Sequence, residues 1–140
     1  MTDRLLVPLD GSPQSQEALG YALETFPDAT IVLAHVLTPV DGGVGPDGLL
    51  VDPSGVVADQ QERAEELFDE AEEIAGDDRT IERELLAGRP ATEIVSYAKE
   101  HDIDGIVMGS HGRDGAARLL LGSVSETVVR RSPVPVTVVR

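Results

Sequence analysis

Five short apolar runs, separated by stretches of helical period, leave this 140-residue chain little choice of architecture. The runs are Leu5-Leu6-Val7-Pro8-Leu9, Thr30 to Leu37 (TIVLAHVL), Thr80 to Leu86 (TIERELL), Gly105 to Met108 and Pro135 to Val139. Segments this short, apolar and rich in β-branched residues suit strands buried on both faces, as in a parallel sheet. TIERELL alternates apolar and charged residues, which suits an edge strand.

Between the runs lie four helical patterns. Ser12-Pro13 reads as an N-cap with proline at the first helical position, and Ala18, Leu19, Ala22, Leu23 and Phe26 then share one face. Ala64, Leu67, Phe68, Ala71, Ile74 and Ala75 form a second stripe, backed by a strongly acidic face and stopped by Gly76. Pro90 opens a third, with Ile94, Val95 and Ala98 inward. Ser123 to Arg131 is a fourth. Strictly alternating β and α units with short connections predict right-handed crossovers and a doubly wound α/β fold. One connection is long. Residues 38–56 (TPVDGGVGPDGLLVDPSGV) are rich in Gly, Pro and Asp, and read as a loop after the second strand. No repeat or linker divides residues 1–140, so a single domain is expected.

Composition narrows the function. Hydrophobic residues make up 41% of the chain but aromatics only 3%, so Val, Leu, Ile and Ala must build the core. The absence of cysteine excludes a disulfide scaffold, a thiolate metal site and a thiol nucleophile. Acids outnumber Lys and Arg by 26 to 11, a formal charge of −15, and Lys99 is the sole lysine. Such a surface suits concentrated salt, which screens its self-repulsion, so a salt-accumulating halophile is the expected source. It also argues against nucleic acid or an anionic membrane as partner. The opening MTDRLLVPLD lacks a signal peptide's apolar region and no run is long enough to span a membrane, so a cytoplasmic protein is expected. The charge is uneven. Residues 1–108 carry 24 acids and 6 bases, net −18, whereas residues 109–140 carry 2 acids and 5 bases, net +3.

Several motif matches fail on context. Gly43, Gly45 and Gly48 spell G-x-G-x-x-G, but Pro46 interrupts it and Pro53 stands against an immediate helix, which a dinucleotide fingerprint needs. Walker A, HExxH and GxSxG patterns are absent, and His35, His101 and His111 lack ligand spacing. Two other places follow strands and carry a signal. Asp10-Gly11-Ser12 after the first strand reads, taken alone, first as a tight turn capping the first helix; it also fits a ribose, base or metal contact. Gly109-Ser110-His111-Gly112, nine residues, then Gly122-Ser123-Val124-Ser125 follow the fourth strand. Here glycines permit close backbone approach, a helix N-terminus favours phosphate, and Arg113 and Arg118 add charge. Ser123-x-x-Glu126 also reads as a capping box, which needs no ligand.

VPLDGS, the His35-Val36 pair, GSHGRDGAARLLLGSVSETVV and the closing PVPVTVVR together resemble the universal stress protein family over essentially the whole chain. The most specific part is G-x-x-G-(nine residues)-G-S/T, carried by the family's ATP-binding branch, which Gly109, Gly112, Gly122 and Ser123 match without a gap. The resemblance implies a nucleotide-hydrolase-like sheet of order 3-2-1-4-5, so that both motifs meet in one crevice. It implies that Pro8, Leu9 and Asp10 face adenine and ribose, with Val36 beside the base. Met108, Gly109, His111 and Gly112 would line ribose and phosphate, and Gly122, Ser123, Val124 and Ser125 would hold the phosphates. The ligand would be ATP or AMP, with Mg2+ or Mn2+ as a companion, and the final strand 135–139 would pair with its twin in a homodimer. Asp114 departs from the family's usual glycine and brings a carboxylate near the phosphates. No general base is evident, Asp10 and His111 being the sole candidates, so turnover is expected to be absent or very slow. A homodimeric interaction module that binds no nucleotide is the alternative. A nucleotide-activating enzyme is disfavoured by the lack of SGGxDS and HIGH motifs.

Overall fold

The computed structural model describes residues 3–38, 53–110 and 122–140. Its elements run β1 (Arg4–Pro8), α1 (Pro13–Thr25), β2 (Thr30–Leu37), α2 (Pro53–Ala75), β3 (Ile81–Ala87), α3 (Pro90–Glu100), β4 (Gly105–Gly109), α4 (Ser123–Arg131) and β5 (Val136–Val139). The strands form one sheet, all pairs parallel, in the order β3-β2-β1-β4-β5. TIERELL does lie at an edge.

Strand alternation divides the interior into two layers. Leu5, Val7, Leu9, Ile31, Leu33 and Val107 face α1 and α2, packing on Leu19 and Phe68. Leu6, Val32, Ala34, Ile106 and Met108 face the other side, against Ile94, Tyr97 and Ala98 of α3 and Val128 of α4. Burying an aliphatic side chain of this kind contributes about 1.5–3 kcal/mol, so these positions dominate stability. The scarcity of aromatics is met as the composition requires: Phe68 is the one fully buried aromatic ring.

Local chemistry explains the boundaries. The Ser12 hydroxyl accepts from the Ser15 N–H at 3.2 Å, capping α1 as expected. At the other end of α1, the Arg79 guanidinium donates to the carbonyls of Leu23, Phe26 and Ala29, satisfying groups that a helix end leaves free. Helix α2 starts at Pro53, inside the stretch read as loop 38–56. Pro53 opens the helix rather than barring it. Proline lacks an N–H that the first helical turn has no use for, so position alone decides which role it takes. The G-x-G-x-x-G match lies outside the described residues.

Arg83 of β3 ties the acidic face of α2 to the sheet. Its guanidinium reaches Glu65 at 3.0 Å, Asp69 at 2.7 Å and Glu72, and sits 5.6 Å from the Phe68 ring centroid. The hydrogen bonds it donates to Glu72 and Asp69 raise its pKa further. On the opposite layer, burial pushes the Tyr97 phenol up to about 12, helped by the nearby Glu84 carboxylate. The Tyr97 ring stacks on that of His101, with centroids 4.0 Å apart.

Candidate functional site

In this strand order β1 and β4 are neighbours whose outgoing chains turn to opposite sides, and ligands of open α/β sheets bind at such a point. A cleft of about 760 Å³ opens there, beyond the C-terminal ends of β1, β2 and β4. That volume falls within the range of about 300–1,000 Å³ typical of small-molecule sites.

Ten of the twelve residues singled out from the sequence line this cleft. Pro8, Leu9 and Asp10 come from the end of β1, Val36 from β2, Met108 and Gly109 from β4, and Gly122, Ser123, Val124 and Ser125 from the start of α4. His111 and Gly112 lie outside the described residues, as do Arg113, Asp114 and Arg118. The lining also holds residues to which no site role was given: Ser12, Thr38, Ser110, Arg63 on α2, and Pro90 and Ile94 on α3. Arg63 sits in an acidic amphipathic stretch, and helical period gives no hint that one such residue turns toward the β1 turn.

Asp10 proves to be a turn former. Its Oδ1 accepts from the Ser12 N–H at 2.8 Å and from the Ser12 hydroxyl, closing an Asx-type turn around Gly11. Gly11 has φ +84°, which favours glycine. The exposed Asp10 lines the cleft, and its second carboxylate oxygen makes no hydrogen bond among the described residues. Leu9 continues the β1 ladder through its N–H to the Ala34 carbonyl at 2.7 Å. The Leu9 carbonyl in turn accepts from His35 Nδ1 at 2.7 Å, which fixes that ring at the cleft margin.

Helix α4 departs from the capping-box expectation. Gly122, not Ser123, is the N-cap, and no side chain caps the helix. Glu126, the box partner, reaches forward to Arg130 at 2.7 Å instead of back. A glycine in extended geometry (φ −65°, ψ 162°) already delivers the chain into the helix, so the box is not required. Ser123 is therefore left at the first helical position, exposed and lining the cleft. The first-turn N–H groups of Ser123, Val124 and Ser125 have no partner within the helix and carry its positive dipole end.

Two of the sequence-derived positions also have structural employment. The buried Ser125 hydroxyl meets the Ser110 carbonyl at 2.8 Å and that of Gly122 at 3.0 Å, so its one proton is engaged within the protein. What Ser125 offers a ligand is its backbone N–H. Gly109 permits a close approach, but of protein: a Cβ there would stand 2.8 Å from both the backbone carbon and the Cβ of Gln14 on α1. Glycine at 109 is thus demanded by helix packing.

For a metal the fit is poor. Asp10 is the only carboxylate among the described lining residues, and no group of three metal-ligating side chains occurs among the described residues.

The sequence profile of the universal stress protein family matches residues 1–140. The chain belongs to the universal stress protein family. Universal stress protein MJ0531 of Methanocaldococcus jannaschii is 34% identical over 143 aligned positions, covering 98% of this chain and 81% of that protein. YxiE of Bacillus subtilis is 30% identical, with both chains covered in full. Among solved structures, UspA from Lactobacillus plantarum superposes with a TM-score of 0.82 at 26% identity, covering 99% of this chain and 97% of that one. A universal stress protein in complex with cAMP superposes at 0.69 and 28% identity, covering 99% and 97%. These universal stress proteins share the doubly wound sheet derived above. No helix among the described residues is long and apolar enough to cross a membrane.

Proposed function

We propose that this universal stress protein binds an adenine nucleotide, ATP or AMP, reversibly in the switch-point cleft and acts as a homodimeric regulator in stress responses. The observation that carries the reading is the α4 N-terminus: three first-turn N–H groups and a Ser123 hydroxyl not used for capping, all at one wall of the cleft. The binding of cAMP by a relative 28% identical over nearly the whole chain supports an adenine nucleotide in particular.

In this reading the phosphates sit on the N–H groups of Ser123, Val124 and Ser125 and on the Ser123 hydroxyl, with Gly122 leaving room beside them. Pro8, Leu9 and Val36 enclose the base, while Asp10, through its second oxygen, and Met108 and Gly109 meet the ribose. His111 and Gly112 complete the set from outside the described residues. A Mg2+ or Mn2+ ion would arrive on the phosphates, since the described lining residues present a single carboxylate. Binding and release, rather than turnover, is what such a cleft offers: Asp10 and His35 each spend a polar atom on the β1 turn.

The test is direct. Purified protein is denatured and any released nucleotide identified by chromatography, followed by calorimetric titration of the apo form with ATP, AMP and adenosine. Binding of ATP or AMP is expected. If none of the three binds and none is released, the interaction module without nucleotide takes its place.

A further inference from the structure

The cleft has a second polar wall. Helices α1 and α2 cover one face of the sheet and α3 and α4 the other, and the cleft receives residues from both. On α2 stands Arg63, the only arginine or lysine among the described lining residues. Its guanidinium lies on the β1–α1 turn: a Cβ built on Gly11 would meet Arg63 Nη2 at 3.2 Å and Leu67 Cδ2 at 3.6 Å. Residues 63 and 67 are one helical turn apart, so one flank of α2 covers this turn. Three carboxylates of α2 are drawn the other way, onto Arg83 of the edge strand. The helix thus offers the cleft a cation in a chain of net charge −15.

The Asp10 carboxylate, next to Gly11, shares this corner. With Arg63 present the corner is neutral; without it a lone carboxylate would repel any anion. A guanidinium beside a turn presents paired donors suited to phosphate oxygens. We propose that Arg63 is a specificity residue that binds a second phosphate of the ligand, beyond the one at the α4 N-terminus. The proposal rests on the nucleotide reading above. The second phosphate has two possible sources: further along a 5′ chain, as in ATP, or on the sugar, as in adenosine 3′,5′-bisphosphate.

Calorimetric titration of wild-type protein and Arg63→Gln with AMP, ATP and adenosine 3′,5′-bisphosphate tests this, with a thermal melt to verify folding. Wild type should prefer ATP or the bisphosphate over AMP by roughly tenfold, and Arg63→Gln should remove that preference while leaving AMP affinity within about twofold. Loss of preference for ATP assigns the second phosphate to the chain; loss for the bisphosphate assigns it to the sugar. A preference that survives Arg63→Gln, or an equal weakening of AMP, overturns the proposal while leaving nucleotide binding intact. A wild-type protein that binds none of these ligands refutes both readings together.

Discussion

Ser123 and Ser125 are the same residue type two positions apart on α4, yet they do different work. Ser125 is buried and its hydroxyl holds the Ser110 carbonyl, tying the β4 exit to the helix start. Ser123 is exposed, makes no cap and faces the cleft. Ser125→Ala should therefore lower the melting temperature modestly: the Ser110 carbonyl keeps the Gly122 N–H at 2.6 Å, and one lost hydrogen bond costs about 0.5–1.5 kcal/mol. Its nucleotide affinity should change little, because the backbone N–H remains. Ser123→Ala should do the reverse, leaving the melt in place and weakening ATP by roughly tenfold, about 1.4 kcal/mol. Calorimetry and thermal denaturation on both variants check the pair. A melt shift for Ser123→Ala with unchanged affinity would show that the hydroxyl serves the fold. The sequence marked both serines but could not separate them, because a capping box and a phosphate site use the same residues at the same spacing. Similarly, G-x-x-G drew attention to Gly109 for an anion's sake, whereas the backbone of α1 at Gln14 already demands it.

At the scale of elements, β5 is an edge with one side in use. The Pro135 carbonyl accepts from the Ile106 N–H at 2.9 Å and that of Val139 from the Ser110 N–H at 2.8 Å, so odd-numbered residues point their backbone groups at β4. Val136 and Val138 then point theirs outward. An apolar edge strand whose outward N–H and C=O groups have no partner among the described residues invites pairing with another chain, and a two-fold axis would bring two copies of β5 together antiparallel. Val138→Pro removes one outward N–H while sparing the ladder to β4, a position where edge strands tolerate proline. Light scattering should give a dimer for wild type and a folded monomer for this variant at micromolar concentration. A wild-type monomer would remove the dimer from the functional reading. Elements were legible where periodicity was long, as along α1 and α2, and least legible at their ends. Proline caused the largest displacement. Pro13 and Pro90 were recognised as helix openers, yet Pro53 opens α2 from within a Gly- and Asp-rich stretch that carries no apolar stripe to announce it.

For the molecule as a whole, charge is the dominant condition. Residues 1–108 carry a net −18, and Arg83 gathers only three of those carboxylates. Exposed ion pairs of this kind contribute little each, so salt is expected to stabilise the fold by screening the remaining repulsion. The melting temperature should climb steadily from dilute buffer to molar potassium chloride. A flat or falling curve would contradict adaptation to salt. The sequence by itself determined the class of fold, because the period of apolar residues is a local property: it decides which segments are strands, which are helices, and which face of each seeks the core. It also marked the two strand-end segments that meet in the cleft. The tertiary structure decided which groups in those segments are free. Whether Asp10, Ser123 or Ser125 can reach a ligand depends on which of their atoms other parts of the chain have already claimed. The place of Arg63 was beyond the sequence for the same reason. It faces the cleft because α2 packs beside α1 over the Gly11 turn, a contact between residues 52 positions apart that no local pattern encodes.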